Sequence, residues 1–357
     1  MESSSSMMPK LTETTQTITF SEDDGACAVD IYATDVVIKT GSRNQSHGGC
    51  KLKLKNLVDY NWEQKFYPGQ LLATHISGKY MAYSIKAPKG ATTACGMVRI
   101  VHTPEPGNDR RALIKGMKGE VQDLAFAHIQ NQIILASIDD QGTFYIHEIE
   151  ATDSGIRCTL IAEVVEDPGI ISMYHRVMWC PYIPEEEDSV DDDVAKLLLT
   201  THGNIARMWD VGAVGAALAA GGGAGGGGAA GWAALGAAGR PAGEHGAPVV
   251  DAAFSPDGTA LATAAADGNV MFFQVYMSGG AGPRCLHNWQ PHNGAPLSCL
   301  FFLDNHRNLA ADVQFWKFAV TGTNNNSQLK IWSCKSWSCV QTITFAPEPT
   351  VDASLGY

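Results

Sequence analysis

Between Asp251 and Val275 the chain reads DAAFSPDGTALATAAADGNVMFFQV, three short alternating apolar runs divided by Ser-Pro-Asp-Gly and by Ala-Asp-Gly. An Asp-Gly pair supplies the positive φ angles of a tight turn, so the stretch predicts three antiparallel strands. The same order recurs from Val121 to Ile149, VQDLAFAHIQNQIILASIDDQGTFYIHEI. It returns with insertions between Arg176 and Val211 and between Leu297 and Trp332. Self-similarity of this kind fixes the architecture before any single residue is weighed.

The third strands of the repeats end near Val101, His147, Trp209, Phe273 and Trp332, at intervals of 46, 62, 64 and 59 residues. WD-type propeller blades run at about 40–45 residues, so the longer intervals hold inserts. These are the acidic stretch Glu185–Asp193, the Gly/Ala tract after Val211, and Asp304–Asp312. The fold class is therefore all-β, a WD40-type β-propeller. One repeat keeps Trp209-Asp210 and another keeps Trp332. His245 and His292 stand where such repeats place a Gly-His, and Asp267 belongs to a tight turn. In a well-formed blade the His, the turn Asp, a Ser or Thr and the Trp join by hydrogen bonds. Phe273 occupies the Trp place and has no N–H, so its blade lacks that donor.

At 357 residues and 45% hydrophobic content the chain is long enough to bury a sizeable core. The N-terminus has no apolar segment of secretory type, and no apolar run has the length of a membrane span. The nine cysteines are scattered and form no Cys-x2-Cys pair; they read as reduced thiols of a cytosolic protein. The net charge of −12 is concentrated in residues 185–193, a solvated loop, and argues against direct RNA binding. Lys51-Leu-Lys-Leu-Lys55 alternates three lysines with two leucines, as an outer edge strand protected by charge would.

Residues 1–20 are Ser/Thr-rich and are expected to be disordered, with the propeller over 21–357. Within it the acidic loop 185–193 and the Gly/Ala-rich loop 212–243 are expected to be disordered, since glycine-rich chain has little side chain to bury. Ala26–Tyr32, Asp35–Lys39 and Lys51–Val58 read as three strands of a first blade that lacks one. Five fuller repeats follow, and a seven-bladed ring would be incomplete in this chain.

Chemistry leaves no trace in the sequence. A nucleophile elbow, a Walker loop and a His-Glu-x-x-His helix are all missing, and no two histidines share one element at metal-ligand spacing. No catalytic, cofactor-binding or metal residue is assigned. His147 and the His175-Arg176 pair read as structural. The assigned positions are those of the repeat: Trp209, Asp210, His245, Asp267, Phe273, His292 and Trp332.

Longer strings carry a more specific resemblance. VQDLAFAHI (Val121–Ile129), RVMWCPYIPEE (Arg176–Glu186), FSPDGTALATAAADGNV (Phe254–Val270), PRCLHNWQPHNGAPLSCLFFLDNH (Pro283–His306), FWKFAVTG (Phe315–Gly322) and SWSCVQTITF (Ser336–Phe345) occur in order. With VDYNWEQKFYPGQLLA (Val58–Ala73) and GMVRIV (Gly96–Val101), they resemble the N-terminal WD-repeat domain of the enhancer of mRNA-decapping scaffold family, also called Hedls, with the plant relative Varicose. The Trp-Cys-Pro-x-Ile-Pro-Glu-Glu and Pro-Arg-Cys-Leu-His strings are not general WD features. The resemblance implies a non-enzymatic scaffold that gathers decapping enzyme and decapping activator in cytoplasmic processing bodies. It implies no small-molecule substrate and no membrane. The second reading is a WD-repeat protein-interaction adaptor of another complex, since the fold alone hosts many functions.

Overall fold

The computed structural model describes residues 11–20, 29–40, 56–87, 96–105, 107–165, 172–181, 197–212, 214, 239–275, 284–303 and 317–346. Alternating apolar strands and short turns arrange them as five successive sheets, the blades of a propeller. The first blade holds β3 (Leu72–Thr74), β4 (Tyr80–Lys86), β5 (Gly96–Glu105) and β6 (Asn108–Ile114). In the second are β7 (Val121–Phe126), β8 (Ile134–Asp139), β9 (Phe144–Thr152) and β10 (Gly155–Val164). The third comprises β11 (Val177–Trp179), β12 (Leu197–His202), β13 (Ile205–Asp210) and β14 (Gly239–Glu244). The fourth comprises β15 (Val249–Phe254), β16 (Ala260–Ala265), β17 (Val270–Gln274) and β18 (Cys285–Trp289). The fifth is built on β19 (Leu297–Phe302), β20 (Phe318–Thr323), β21 (Gln328–Ser333) and β22 (Ser338–Ala346).

Each four-strand set is an antiparallel meander. Val101, His147, Trp209, Phe273 and Trp332 all fall on third strands. The middle strands are buried on both faces, as in the wholly buried β8 and β16, because each blade packs between neighbours.

Four apolar clusters join the five blades in chain order. Val98, Ile100 and Met117 meet Leu124, Phe126 and Leu135 between the first and second. Ile138, Phe144 and Ile146 meet Trp179, Leu198 and Trp209 between the second and third. Leu199 and Ala206 meet Phe254 and Leu261 next, and Val250, Ala264 and Phe272 meet Leu297 and Leu300 last. Among the described residues no such core joins the fifth blade to the first. Gly268, at φ +84, marks how tightly the fourth and fifth meet: a Cβ there would lie 2.7 Å from the Gly294 backbone.

The N-terminal segment departs from expectation. Of the three strands anticipated for a first blade, only the Asp35–Lys39 segment is a strand, within β2 (Ala33–Thr40). Residues 29–32 and 56–58 are not strands, while 26–28 and 51–55 lie outside the described residues. Instead, β2 pairs in parallel with β22, and β1 (Glu13–Phe20) pairs in parallel with β2, widening the fifth blade to six strands. β1 also corrects the expectation of disorder through residue 20. Its Thr and Ile residues suit a strand, and Gln16 and Ile18 alternate inward against exposed Thr15, Thr17 and Thr19. Gln16 Nε2 donates to Asp30 O (2.9 Å), and Gln341 Nε2 donates to Ala33 O (2.7 Å), tying the added strands down.

The Gly/Ala-rich range 212–243 needs a similar correction. Val214 is buried in the core between the second and third blades, and β14 starts at Gly239. Main-chain pairing with β13 needs no side chains, and the outer edge accommodates Pro241 opposite Arg207. Residues 215–238 and the acidic loop 185–193 lie outside the described residues.

Candidate functional site

The first strands of the second, fourth and fifth blades share a local device. Register slips between Val121 and Asp123, between Val249 and Asp251, and between Leu297 and Cys299 each insert one extra residue. A bulge of this kind re-aims the following side chain. Asp123 and Asp251 are consequently brought, from different blades, to one residue of the third blade. Arg176 donates through Nε to Asp123 Oδ2 (2.8 Å), and through one terminal nitrogen to Asp251 Oδ1 (2.6 Å) and to Pro68 O (3.0 Å).

The carboxylates complete a continuous girdle. Asp123 accepts the backbone N–H groups of Gln70 (2.7 Å), Leu124 (3.1 Å) and Val177 (2.9 Å). Asp251 accepts those of Ala252 (2.9 Å) and Leu300 (2.8 Å). Gln70 precedes the first blade's first strand and Leu300 lies on the fifth's, so one ion bridge touches all five blades. Burial drives the Asp251 pKa upward, against the opposing pull of Arg176, while the two carboxylates hold Arg176 protonated. One cation against two anions, with every carboxylate oxygen bonded, is a structural tie rather than an acid–base centre.

A second set of polar contacts lies within the third, fourth and fifth blades. In the fifth, the Trp332 indole N–H donates to Thr321 Oγ1 (2.9 Å), and Thr321 Oγ1 lies 2.9 Å from His292 Nε2. His292 Nε2 also lies 3.2 Å from the Thr321 backbone carbonyl oxygen, and His292 Nδ1 lies 3.1 Å from Gln328 Oε1. The third blade has the Trp209 indole donating to Thr200 Oγ1 (2.8 Å), with Asp210 exposed at the strand end. In the fourth, His245 Nε2 lies 2.7 Å from Thr263 Oγ1, while Phe273 is buried with no donor to add and His245 Nδ1 has no partner. Asp267 Oδ1 accepts the Asn269 N–H (3.0 Å) and its charge favours protonation of His245, against a dominant burial penalty. The second blade, with His147 in the Trp place, has none of this: His147 Nδ1 and Ser137 Oγ are both buried and unpartnered.

His175, ahead of the third blade, turns to His202 instead. Their Nδ1 atoms lie 3.4 Å apart with the rings stacked. Burial pushes the His175 and His147 pKa values down to about 4, so both are neutral at physiological pH. The Cys180 and Cys299 thiols are pushed up to about 12 by burial, which leaves them unreactive. Cys334 and Cys339, on either side of the β21–β22 turn, form no disulfide. Among the described residues no three His, Cys, Asp or Glu side chains are placed to hold a metal, and no helix is long and apolar enough to cross a membrane.

Trp209, Phe273 and Trp332 lie on the third strands of their blades and His245 and His292 on the links between blades, but the girdle was missed. Its signal lay in the matching offset of Asp in VQDLAF and VVDAAF; nothing local pointed to Arg176 as their common partner.

Open surface on the same molecule is found near Tyr174, two residues before Arg176. Tyr174, Pro296, Leu297, Ser298, Asn324 and Asn325 border a cleft of about 360 Å³.

The sequence of this chain has relatives. Residues 48–355 match a model of the WD40 region of Ge1, enhancer of mRNA-decapping protein. The chain is 38% identical over 342 residues to the zebrafish (Danio rerio) enhancer of mRNA-decapping protein 4, covering 94% of this chain and 23% of that protein. The Drosophila melanogaster homolog is 35% identical over 342 residues, covering 94% and 24%, and the human protein 34% over 338 residues, covering 93% and 23%. The chain thus spans about a quarter of the length of these relatives. With a match across most of its length and identities of this order, the chain belongs to the family of the WD40 region of Ge1, the enhancer of mRNA-decapping protein.

Proposed function

We propose that this chain is the propeller of a non-enzymatic scaffold that promotes cytoplasmic mRNA decapping by holding the decapping enzyme and its activator together in processing bodies. The observation that carries the reading is the family match over residues 48–355. In keeping with it, the Asp123–Arg176–Asp251 tie is spent on holding blades together, and what is left to the exterior is binding surface. The test is affinity purification of the tagged chain from cytoplasm. Co-purification of decapping enzyme and activator, unaffected by nuclease, is the expected result. Recovery of a different assembly without them would overturn the reading in favour of a general WD-repeat adaptor.

A further inference from the structure

The outer strand of a propeller blade presents a row of unpaired N–H and C=O groups, and in four blades of this chain that edge is guarded. β6 carries Asp109, Arg110 and Arg111. β10 carries Arg157 and Glu163 and is bent by a bulge between Leu160 and Ala162. β14 contains Pro241 and an extra residue opposite Ala206 and Arg207. β18 is only five residues long and bulges at Leu286.

The fifth blade differs, because β2 and β1 lie beyond β22 and the sheet ends on β1. β1 is eight residues long, ETTQTITF, and runs beside β2 without a register shift. No strand among the described residues pairs with its other side. Its only charge is Glu13, at the start, and it holds no lysine, proline or bulge. The two faces are distinct: Thr15, Thr17 and Thr19 are exposed, while Gln16 and Ile18 are buried. Gln16 anchors the strand from within, its Nε2 donating to Asp30 O and its Oε1 accepting the Tyr32 N–H (3.2 Å). β1 is thus a long, fixed and unguarded edge.

We propose that β1 is the contact of a two-fold homodimer, pairing antiparallel with β1 of a second copy to join the two fifth blades into one sheet. A two-fold axis perpendicular to the sheet sets threonine face beside threonine face, where cross-strand Thr–Thr pairs are favourable. It also sends the two Glu13 carboxylates to opposite ends of the ladder. A parallel two-fold pair would put the threonine face of one copy beside the Gln16 and Ile18 face of the other. Antiparallel pairing uses up both free edges at once, so association closes at two copies. No charge along Thr14–Thr19 selects a foreign strand, whereas a second β1 matches this one face for face. Eight residues a side fall short of the about 20–30 of a standard interface, so the dimer should dissociate on dilution.

The test is analytical ultracentrifugation of the purified chain over a dilution series, with amide hydrogen exchange of residues 13–20 followed at the same concentrations. A monomer–dimer equilibrium is expected, with exchange slowing as the dimer fills. Registers that keep like faces together set Thr17 against Thr17 or Thr15 of the second copy. Thr15→Lys/Thr17→Lys and Thr15→Glu/Thr17→Glu should therefore each weaken dimerisation about tenfold or more, by like-charge repulsion. Both positions are exposed, so the thermal midpoints should match that of the native chain at dilutions where it is monomeric. Mixing the lysine and glutamate variants should restore the dimer. A native chain that stays monomeric throughout, a dimer that the lysine pair leaves intact, or variants that fail to associate on mixing would overturn the proposal. Decapping proteins take no part in this readout, so its outcome is independent of the decapping assignment.

Discussion

The fifth and second blades run their strands in the same order, yet they differ at the positions of the Trp–Thr–His contacts. In the fifth, Trp332, Thr321, His292 and Gln328 form one connected chain of contacts. In the second, His147 replaces the Trp, and its Nδ1 and the Ser137 hydroxyl are left without partners. Nevertheless β8 is wholly buried, and Phe144 and Ile146 pack into the core against the third blade. The polar relay is therefore not what gives a blade its shape. Apolar packing does that, and the relay adds stability where it is complete. What both blades share is attachment at the axis, through Asp123 on one side and Leu300 on the other.

The largest effect is expected at that shared element. Arg176→Met keeps the stem and removes the charge, leaving Asp123 and Asp251 buried as anions without their cation. Removing one partner of a buried ion pair costs about 3–5 kcal/mol. Urea unfolding should show the loss, together with a drop in cooperativity if the blades separate. A cost below that of a single relay substitution would mean that packing alone holds the blades in register.

The next effect separates the two blades by pH. Burial holds His147 neutral, with its pKa at about 4 against an ordinary value near 6.5. The unfolded chain therefore binds a proton first as pH falls. Stability from this group is intact above pH ~6.5 and is lost progressively toward pH ~4, by about 2 kcal/mol at pH 5. His147→Leu removes that share, so the variant should gain on the native chain between pH 7.5 and pH 5. Parallel urea midpoints for the two proteins would place the acid-sensitive group elsewhere.

What the sequence disclosed follows from range. The turns and the alternation of β15–β17 depend on residues close in the chain, and these strands stand where the pattern puts them. The girdle joins residues from distant repeats, and a lone Arg before a short strand carries no mark of its partners. β1 and β2 were misjudged for a related reason. The Ser/Thr-rich surroundings of β1 suggest disorder, β2 reads as a strand of a first blade, and the edge they complete belongs to β22, far along the sequence. The cleft was illegible too, because Tyr174 and Asn325 come from different blades and are ordinary residues where they stand.

Within the relay itself, Thr321→Val is the smaller break. It preserves shape but removes the oxygen that serves both Trp332 and His292, stranding the buried indole nitrogen while His292 Nε2 keeps the Thr321 backbone carbonyl. The expected cost is about 2 kcal/mol, that of leaving a buried polar group unpaired. Calorimetry of this variant against the native chain measures what a complete relay contributes to the fifth blade.

Ser137→Ala is the matching change in the second blade and should do least. Ser137 faces the same strand position as Thr321, pairing with Tyr145 as Thr321 pairs with Lys330. Its hydroxyl is buried and already without a partner, so the variant forfeits no hydrogen bond and sheds a desolvated polar group. Stability should stay within about 0.5 kcal/mol of the native chain or rise slightly, because deleting an unpaired group is nearly neutral. A loss as large as that of Thr321→Val would show that Ser137 is bonded in solution, through a buried water reaching His147. The double variant Ser137→Ala/His147→Leu would then lose less than the sum of its parts, since both changes would break that one bridge.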